Sequence, residues 1–245
     1  MGDSLGYAVE FDSIAAIRAR YGSGGLTSFA QLDGRSHFSD DTQMTLYTVD
    51  GLVEALEWAN DGLAADEIAC LWLAYLRWLA TQDVAVASSA PVPQPRWIDA
   101  QEVLRHRRAP GNACLSGLAT GGNGNSCTAG QRRLQRLRHC DAFCPPVRTH
   151  PPHISREAVY KLSSDAASLT HGHPSARLSA AAFSLLIHNI VAGSDIRTSA
   201  IEALSYVNGV PHQSTRAGGA AGSRPAVVVA ACPPTGPGRT DHSAR

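Results

Sequence analysis

Phe38-Ser39-Asp40-Asp41-Thr42-Gln43-Met44-Thr45-Leu46 is the stretch that decides how this 245-residue chain reads. Two adjacent carboxylates stand between two hydroxyl residues, and an apolar segment of helical period follows at once. Met44, Tyr47, Leu52, Ala55, Leu56 and Ala59 mark that period, and Asn60-Asp61-Gly62 stops it. The spacing predicts a helix from Asp41 to Asn60 with the acidic pair at its N-terminus. Acidic residues belong there, because they cap free N–H groups and match the helix dipole. Capping accounts well for one Asp. Two Asp flanked by Ser39 and Thr42, after a glycine-rich loop, are better explained by a divalent cation. Mg²⁺, Mn²⁺ and Ca²⁺ all take carboxylate and hydroxyl oxygens.

Upstream, residues 21–37 read as a loop, with Gly22, Gly24, Gly25 and Gly34 and a turn at Asp33-Gly34. Ser13 is placed to cap a short helix through Arg20. Residues 2–11 read as part of a helix for which only Asp3 is available as a cap. Gly2 and Gly6 fall on one face of it, which permits close approach of another helix or simply ordinary packing. Glu10 lies on an otherwise apolar stretch, either exposed or held by a partner.

Downstream, Ile68, Leu71, Trp72, Tyr75, Leu76 and Leu79 give the helix from Ala65 to Ala80 a wide apolar face, the mark of a core helix. A Ser/Pro connector follows over residues 81–95, then a short helical segment near Asp99 to His106. Pro110-Gly111-Asn112 reads as a turn leading into Cys114–Leu118. The loop Gly121-Gly122-Asn123-Gly124-Asn125-Ser126 is either a phosphate cradle or a flexible connection. Residues 128–152 break the style of the chain, with Arg132, Arg133, Arg136, Arg138 and Arg148 among Cys140, Cys144 and four prolines. A nucleic-acid patch, a zinc site using Cys127, Cys140, Cys144 and a nearby His, and a stretch not selected for its present residues are all open. Helical patterns return at Arg156–Ala167, Ser175–Val191 and Thr198–Val207. The turn Ser168–Pro174 holds His171 and His173, which either line a pocket or satisfy the turn. Residues 213–245 are low in pattern and read as a disordered tail, with only Pro225–Cys232 able to form a short element.

Every strong period is helical, so the fold class is all-α. Net charge is zero, which gives no global attraction to nucleic acid or anionic membrane. Lys161 is the only lysine among 21 basic residues. Met1-Gly2-Asp3-Ser4 is polar and acidic, unlike a signal peptide, so a cytoplasmic setting with free thiols is expected for the six cysteines. The longest apolar run, Ala180 to Ala192, is too short to cross a bilayer. A monomer is expected.

Taken together, the pieces resemble the ADP-ribosylglycohydrolase family, the dinitrogenase-reductase-activating type of hydrolase. Gly2-Asp3-Ser4-Leu5-Gly6-Tyr7-Ala8-Val9-Glu10-Phe11 is similar to its opening GDxLGxxxEF signature. Ser39-Asp40-Asp41-Thr42-Gln43-Met44 is similar to its TDDTxM metal motif, with Ser for the first Thr. Arg108-Ala109-Pro110-Gly111-Asn112 is similar to its RxPGN segment, and Leu169-Thr170-His171-Gly172-His173-Pro174 to its LTHxHP turn. The likeness covers roughly residues 1–127 and 153–212. It implies an orthogonal all-α helical bundle over residues 1–212 and a cleft with two Mg²⁺ or Mn²⁺ ions. There the ions grip the ribose hydroxyls of ADP-ribose and orient a water against the anomeric carbon. Glycosidic cleavage builds positive charge on the ribose, so the attacking water must be placed and made more acidic.

Carried over by position, the resemblance makes Ser39, Asp40 and Asp41 metal ligands, with Asp41 also catalytic. Glu10 is then a metal ligand or the acid/base group. His171 belongs to the ADP-ribose pocket, and Gly111 and Asn112 line the same cleft. The implied partner is an ADP-ribosylated protein or an ADP-ribose derivative. Two other readings stand beside the hydrolase: a degenerate, non-catalytic member, and a structural or ADP-ribose-binding protein on the same fold.

The departures from the family pattern are definite. The N-terminus looks clipped before Gly2. Cys127-Thr128-Ala129-Gly130-Gln131-Arg132-Arg133 stands where a GCGxxMR-type segment is expected, and the run to Pro152 reads as a frame shift that later recovers. The C-terminal GDTDTxA motif, which supplies the rest of the family's metal shell, is missing from its place, so the bundle reads as incomplete there. Gly238-Arg239-Thr240-Asp241-His242-Ser243-Ala244 echoes it by coincidence. Three side chains from one loop do not fill two octahedral shells.

Overall fold

The structure is a computed structural model that describes residues 1–34, 36–122 and 154–210. The readings made on residues 123–153 and 211–245 lie outside the described residues. Those are the arginine cluster, the cysteine ligands, most of the glycine-rich loop and the tail. Among the described residues the regular structure is entirely helical, so the all-α fold class holds.

The helices are α1 (Gly2–Gly6), α2 (Ile14–Tyr21), α3 (Asp40–Asn60), α4 (Glu67–Ala80), α5 (Asn112–Ala119), α6 (Arg156–Ser168), α7 (Pro174–Val191) and α8 (Ile196–Gly209). Most begin on a side chain that accepts an otherwise orphaned N–H. Ser13, Ser39, Asp66, Ser155, His173 and Asp195 cap α2, α3, α4, α6, α7 and α8 in this way.

Helices α3 and α4 pack closely along their length. The approach is possible because Gly51 faces α4: a Cβ there would lie 3.1 Å from Ala74 Cβ, Cys70 O and Leu71 Cα. Met44, Tyr47 and Leu52 of α3 join Leu71, Tyr75, Trp78 and Leu79 of α4, Cys114, Leu115 and Leu118 of α5, and Ala166 and Leu169 in one core. A second core of Val159, Leu178, Leu185, Ala203 and Val207 binds α6, α7 and α8 together.

Inside the first packing lies a cluster of ions. The guanidinium of Arg77, 4% exposed, stands 2.9 Å from Asp50 and 3.0 Å from Glu54. Arg96 reaches Asp50 and Glu57, each at 3.0 Å, and its N–H meets Asp99 at 2.7 Å. Tyr47 donates to Asp99 at 3.2 Å, and burial together with the Asp99 charge pushes its phenol well up.

Three expectations need correction. The segment near Asp99–His106 is not one helix but two 3₁₀ turns, Trp97–Ala100 and Glu102–Leu104, because Gln101 between them is extended at φ −82° and ψ 103°. The first element is α only to Gly6 and then tightens to a 3₁₀ turn over Tyr7–Val9, and Asp3 lies inside it rather than capping it. Gly2 and Gly6 give no close approach, since a Cβ on either would meet nothing within 4 Å. Among the described residues, Cys70 and Cys114 are buried free thiols, and no helix is long and apolar enough to cross a membrane.

Candidate functional site

The start of α3 is held by hydrogen bonds from two distant parts of the chain, and a third packs against the helix that follows one of them. Ser39 is the N-cap, 4% exposed, and its Oγ accepts the Asp41 N–H at 3.1 Å. Its own N–H donates to the Asp3 carboxylate, at 3.1 Å to Oδ2 and 3.3 Å to Oδ1. Thr42 Oγ1 donates to the same Asp3 Oδ2. Ser4 donates to the His37 carbonyl at 2.7 Å and so ties α1 to the approach of α3. A charged acceptor on a helix N-terminus adds the dipole attraction to the hydrogen bond.

The second contributor is the segment from Val103 to Gly111. The Asp40 N–H donates to the Arg108 carbonyl at 3.0 Å, and the Gly111 N–H donates to Asp40 Oδ2 at 3.2 Å. Gln43, fully buried, holds the same segment through Nε2, which donates to Leu104 O at 3.0 Å and His106 O at 2.8 Å. Asn112 opens α5 directly after Gly111 and is exposed.

The third is the Leu169–Pro174 turn, reached along α5. Gly117 lies so close to it that a Cβ would stand 2.9 Å from Thr170 O. His171, 5% exposed, is held by Thr170 Oγ1 at 2.8 Å from its Nδ1, and its N–H donates to Ala167 O at 2.8 Å. His173 does a different job: its Nδ1 accepts the Ser175 N–H at 3.2 Å and caps α7.

The structure thus joins Ser39, Asp40 and Gly111 by direct contacts, and sets the His171 turn against the helix that starts at Asn112. Asp41 is exposed on the first turn of α3, where its carbonyl accepts Thr45 Oγ1 at 2.7 Å. Glu10 is exposed at the end of the Tyr7–Val9 turn. Sequence reasoning placed Thr42 beside the acidic pair but gave it no role, and missed Asp3 and Arg108 as parts of this site. All three stood inside the motifs quoted above, which was the available signal.

Mg²⁺ and Mn²⁺ require hard oxygen donors in octahedral sets. The Ser39 hydroxyl and the Asp40 and Asp41 carboxylates are donors of that kind, and each can accept more than one contact. Their number suits one ion with water completing its shell. Among the described residues no group of three His, Cys, Asp or Glu gathers to hold a metal.

A family model described as ADP-ribosylglycohydrolase matches residues 1–240. No curated protein and no solved structure matches.

Proposed function

The chain belongs to the ADP-ribosylglycohydrolase family, and from that premise we propose that it hydrolyses the glycosidic bond between ADP-ribose and a protein side chain or small acceptor, with Mg²⁺ or Mn²⁺. The observation that carries the proposal is the convergence at the start of α3. Asp3 of the opening segment and Gly111 of the turn before α5 bond to Ser39 and Asp40, residues remote in sequence. A helix that merely needed capping would be served by Ser39 alone. Here the whole loop is fixed by donors and acceptors from two other segments.

Ser39, Asp40 and Asp41 would hold the ion. When bound, it would supply positive charge for the ribose hydroxyls and lower the pKa of a bound water. The rest falls to the chain itself. Asp40, fixed by the Gly111 N–H, keeps its carboxylate oriented. Asp41, exposed beside it, is the catalytic carboxylate that orients the attacking water. Glu10 is the group that returns a proton to the departing acceptor. Gly111 and Asn112 offer backbone and amide groups to the nucleotide. His171, set by Thr170, lies on the ADP-ribose side.

Incubating the full chain with ADP-ribosylated arginine or serine peptides and Mg²⁺ tests this. Released ADP-ribose is expected from the wild type and not from D41A. Release no greater than from D41A would sink the hydrolase reading. ADP-ribose that still raised the melting temperature would then leave a binding protein on the same fold.

A further inference from the structure

We propose that Arg108 is a positioning residue for the acidic loop, fixing Ser39 and Asp40 through main-chain contacts without touching ion or substrate. The inference rests on the metal reading given above.

Arg108 is buried, 7% exposed, and its bonds surround the approach to α3. One terminal nitrogen lies 3.5 Å from the Phe38 carbonyl and 3.4 Å from His37 Nδ1. The other terminal nitrogen donates to Val103 O at 3.2 Å. The guanidinium carbon stacks over the Phe38 ring, 4.2 Å from its centroid. The carbonyl of the same residue accepts the Asp40 N–H at 3.0 Å. Arg108 therefore grips residues 37–38 with its side chain and residue 40 with its backbone, with Ser39 between them.

Two further facts favour geometry over bulk stability. Ala109 has φ +55°, a left-handed conformation that costs a non-glycine residue about 1–2 kcal/mol. Such strain persists where the surroundings over-determine it. Here it turns the chain so that the Gly111 N–H meets Asp40. Secondly, the Val103–Arg108 segment has a separate anchor in Gln43, so the guanidinium is not its sole tie.

The test is a Mn²⁺ titration of the full chain, with free Mn²⁺ read by electron paramagnetic resonance, beside thermal melts without metal. Lysine keeps the charge of Arg108 but cannot reproduce both the stack and the fork. Arg108→Lys is expected to bind Mn²⁺ about 10- to 100-fold more weakly than the wild type, as when a ligand loses its supporting partner. Its metal-free melting temperature should stay within a few degrees. Unchanged Mn²⁺ affinity in folded Arg108→Lys would overturn the proposal. Should that variant unfold, Phe38→Leu, which removes the ring under the guanidinium, decides: weaker binding is expected, and unchanged binding overturns the proposal. A wild type that does not bind Mn²⁺ would remove the metal reading itself and this inference with it, an outcome distinct from equal binding by both proteins.

Discussion

At the middle of α3, Asp50 and Glu54 lie against the buried Arg77 guanidinium at 2.9 and 3.0 Å, with Arg96 3.0 Å from Asp50. At the start of the same helix, Asp40 is met by the main-chain N–H of Gly111 at 3.2 Å, and Asp41 is exposed. One helix thus carries two kinds of carboxylate. The first kind is inside, where a charge is tolerated only when paired and hydrogen-bonded. The second sits where helix N–H groups and the dipole already favour an anion, so backbone geometry is enough to place it. The difference separates a cluster that holds the fold from one that is held by the fold.

Removing the arginine from the inner cluster should therefore give the largest effect on stability. Arg77→Met takes the buried cation from Asp50 and Glu54, leaving only Arg96 at 3.0 and 3.9 Å, and is expected to cost about 3–5 kcal/mol in urea unfolding. A loss well under 1 kcal/mol would mean that the inner carboxylates are not structural, and the contrast would collapse.

Gly117→Ala lies between the two regions, because the added methyl would press on Thr170 O at 2.9 Å. Overpacking of this kind costs about 1–3 kcal/mol. It should also move the His171 turn away from α5, so ADP-ribose binding, read by calorimetry, is expected to weaken in a chain that remains folded. Retained affinity would place His171 outside the pocket.

At the start of α3 the expected effect on stability is smaller and that on ligand binding larger. Ser39→Ala removes one cap acceptor, worth about 1 kcal/mol, and should lower Mn²⁺ affinity. If stability fell by the amount expected for a cap while Mn²⁺ binding held, Ser39 would be a cap only.

The smallest effect near neutral pH concerns Tyr47. Burial and Asp99 keep its phenol protonated in the fold, above the ordinary value of 10.0. The unfolded phenol ionises at that ordinary value, so the unfolded state binds fewer protons above it. Stability is full below pH 10 and should fall as pH rises beyond it. Tyr160 is shifted the same way by burial, so Tyr47→Phe should remove only part of the alkaline loss. No change in the slope of the melting temperature above pH 10 would contradict this environment for Tyr47.

The helices were legible because their signals are local. Ser39 followed by an apolar period gave α3 to within one residue, and the apolar face of α4 was plain in Leu71, Tyr75 and Leu79, all buried. Period alone did not say how much of α3 is covered: Leu56 belongs to the same pattern yet is 59% exposed. Nor did it mark Asp50 and Glu54 as members of an ion cluster, because their partners Arg77 and Arg96 come from other elements. The segment near residue 100 was read as one short helical piece, and its division into two 3₁₀ turns was not visible because segments that short carry no period. The acidic pair was visible from the sequence, and so were the motif segments that supply its partners. What spacing could not supply was their meeting: Asp3 touches Ser39 across 36 residues and Arg108 touches Asp40 across 68, and such contacts leave no local pattern.

Under the proposed function the start of α3 exists for a ligand and the middle for the fold, a division of labour open to measurement. Its most direct test replaces both outer carboxylates, Asp40→Asn with Asp41→Asn, and follows Mn²⁺ binding alongside the metal-free melt. The wild type is expected to take up Mn²⁺ saturably and to melt higher with it. The double variant is expected to lose that uptake while its metal-free melting temperature stays within a few degrees of the wild type. Saturable Mn²⁺ binding of equal affinity in both proteins would contradict the claim.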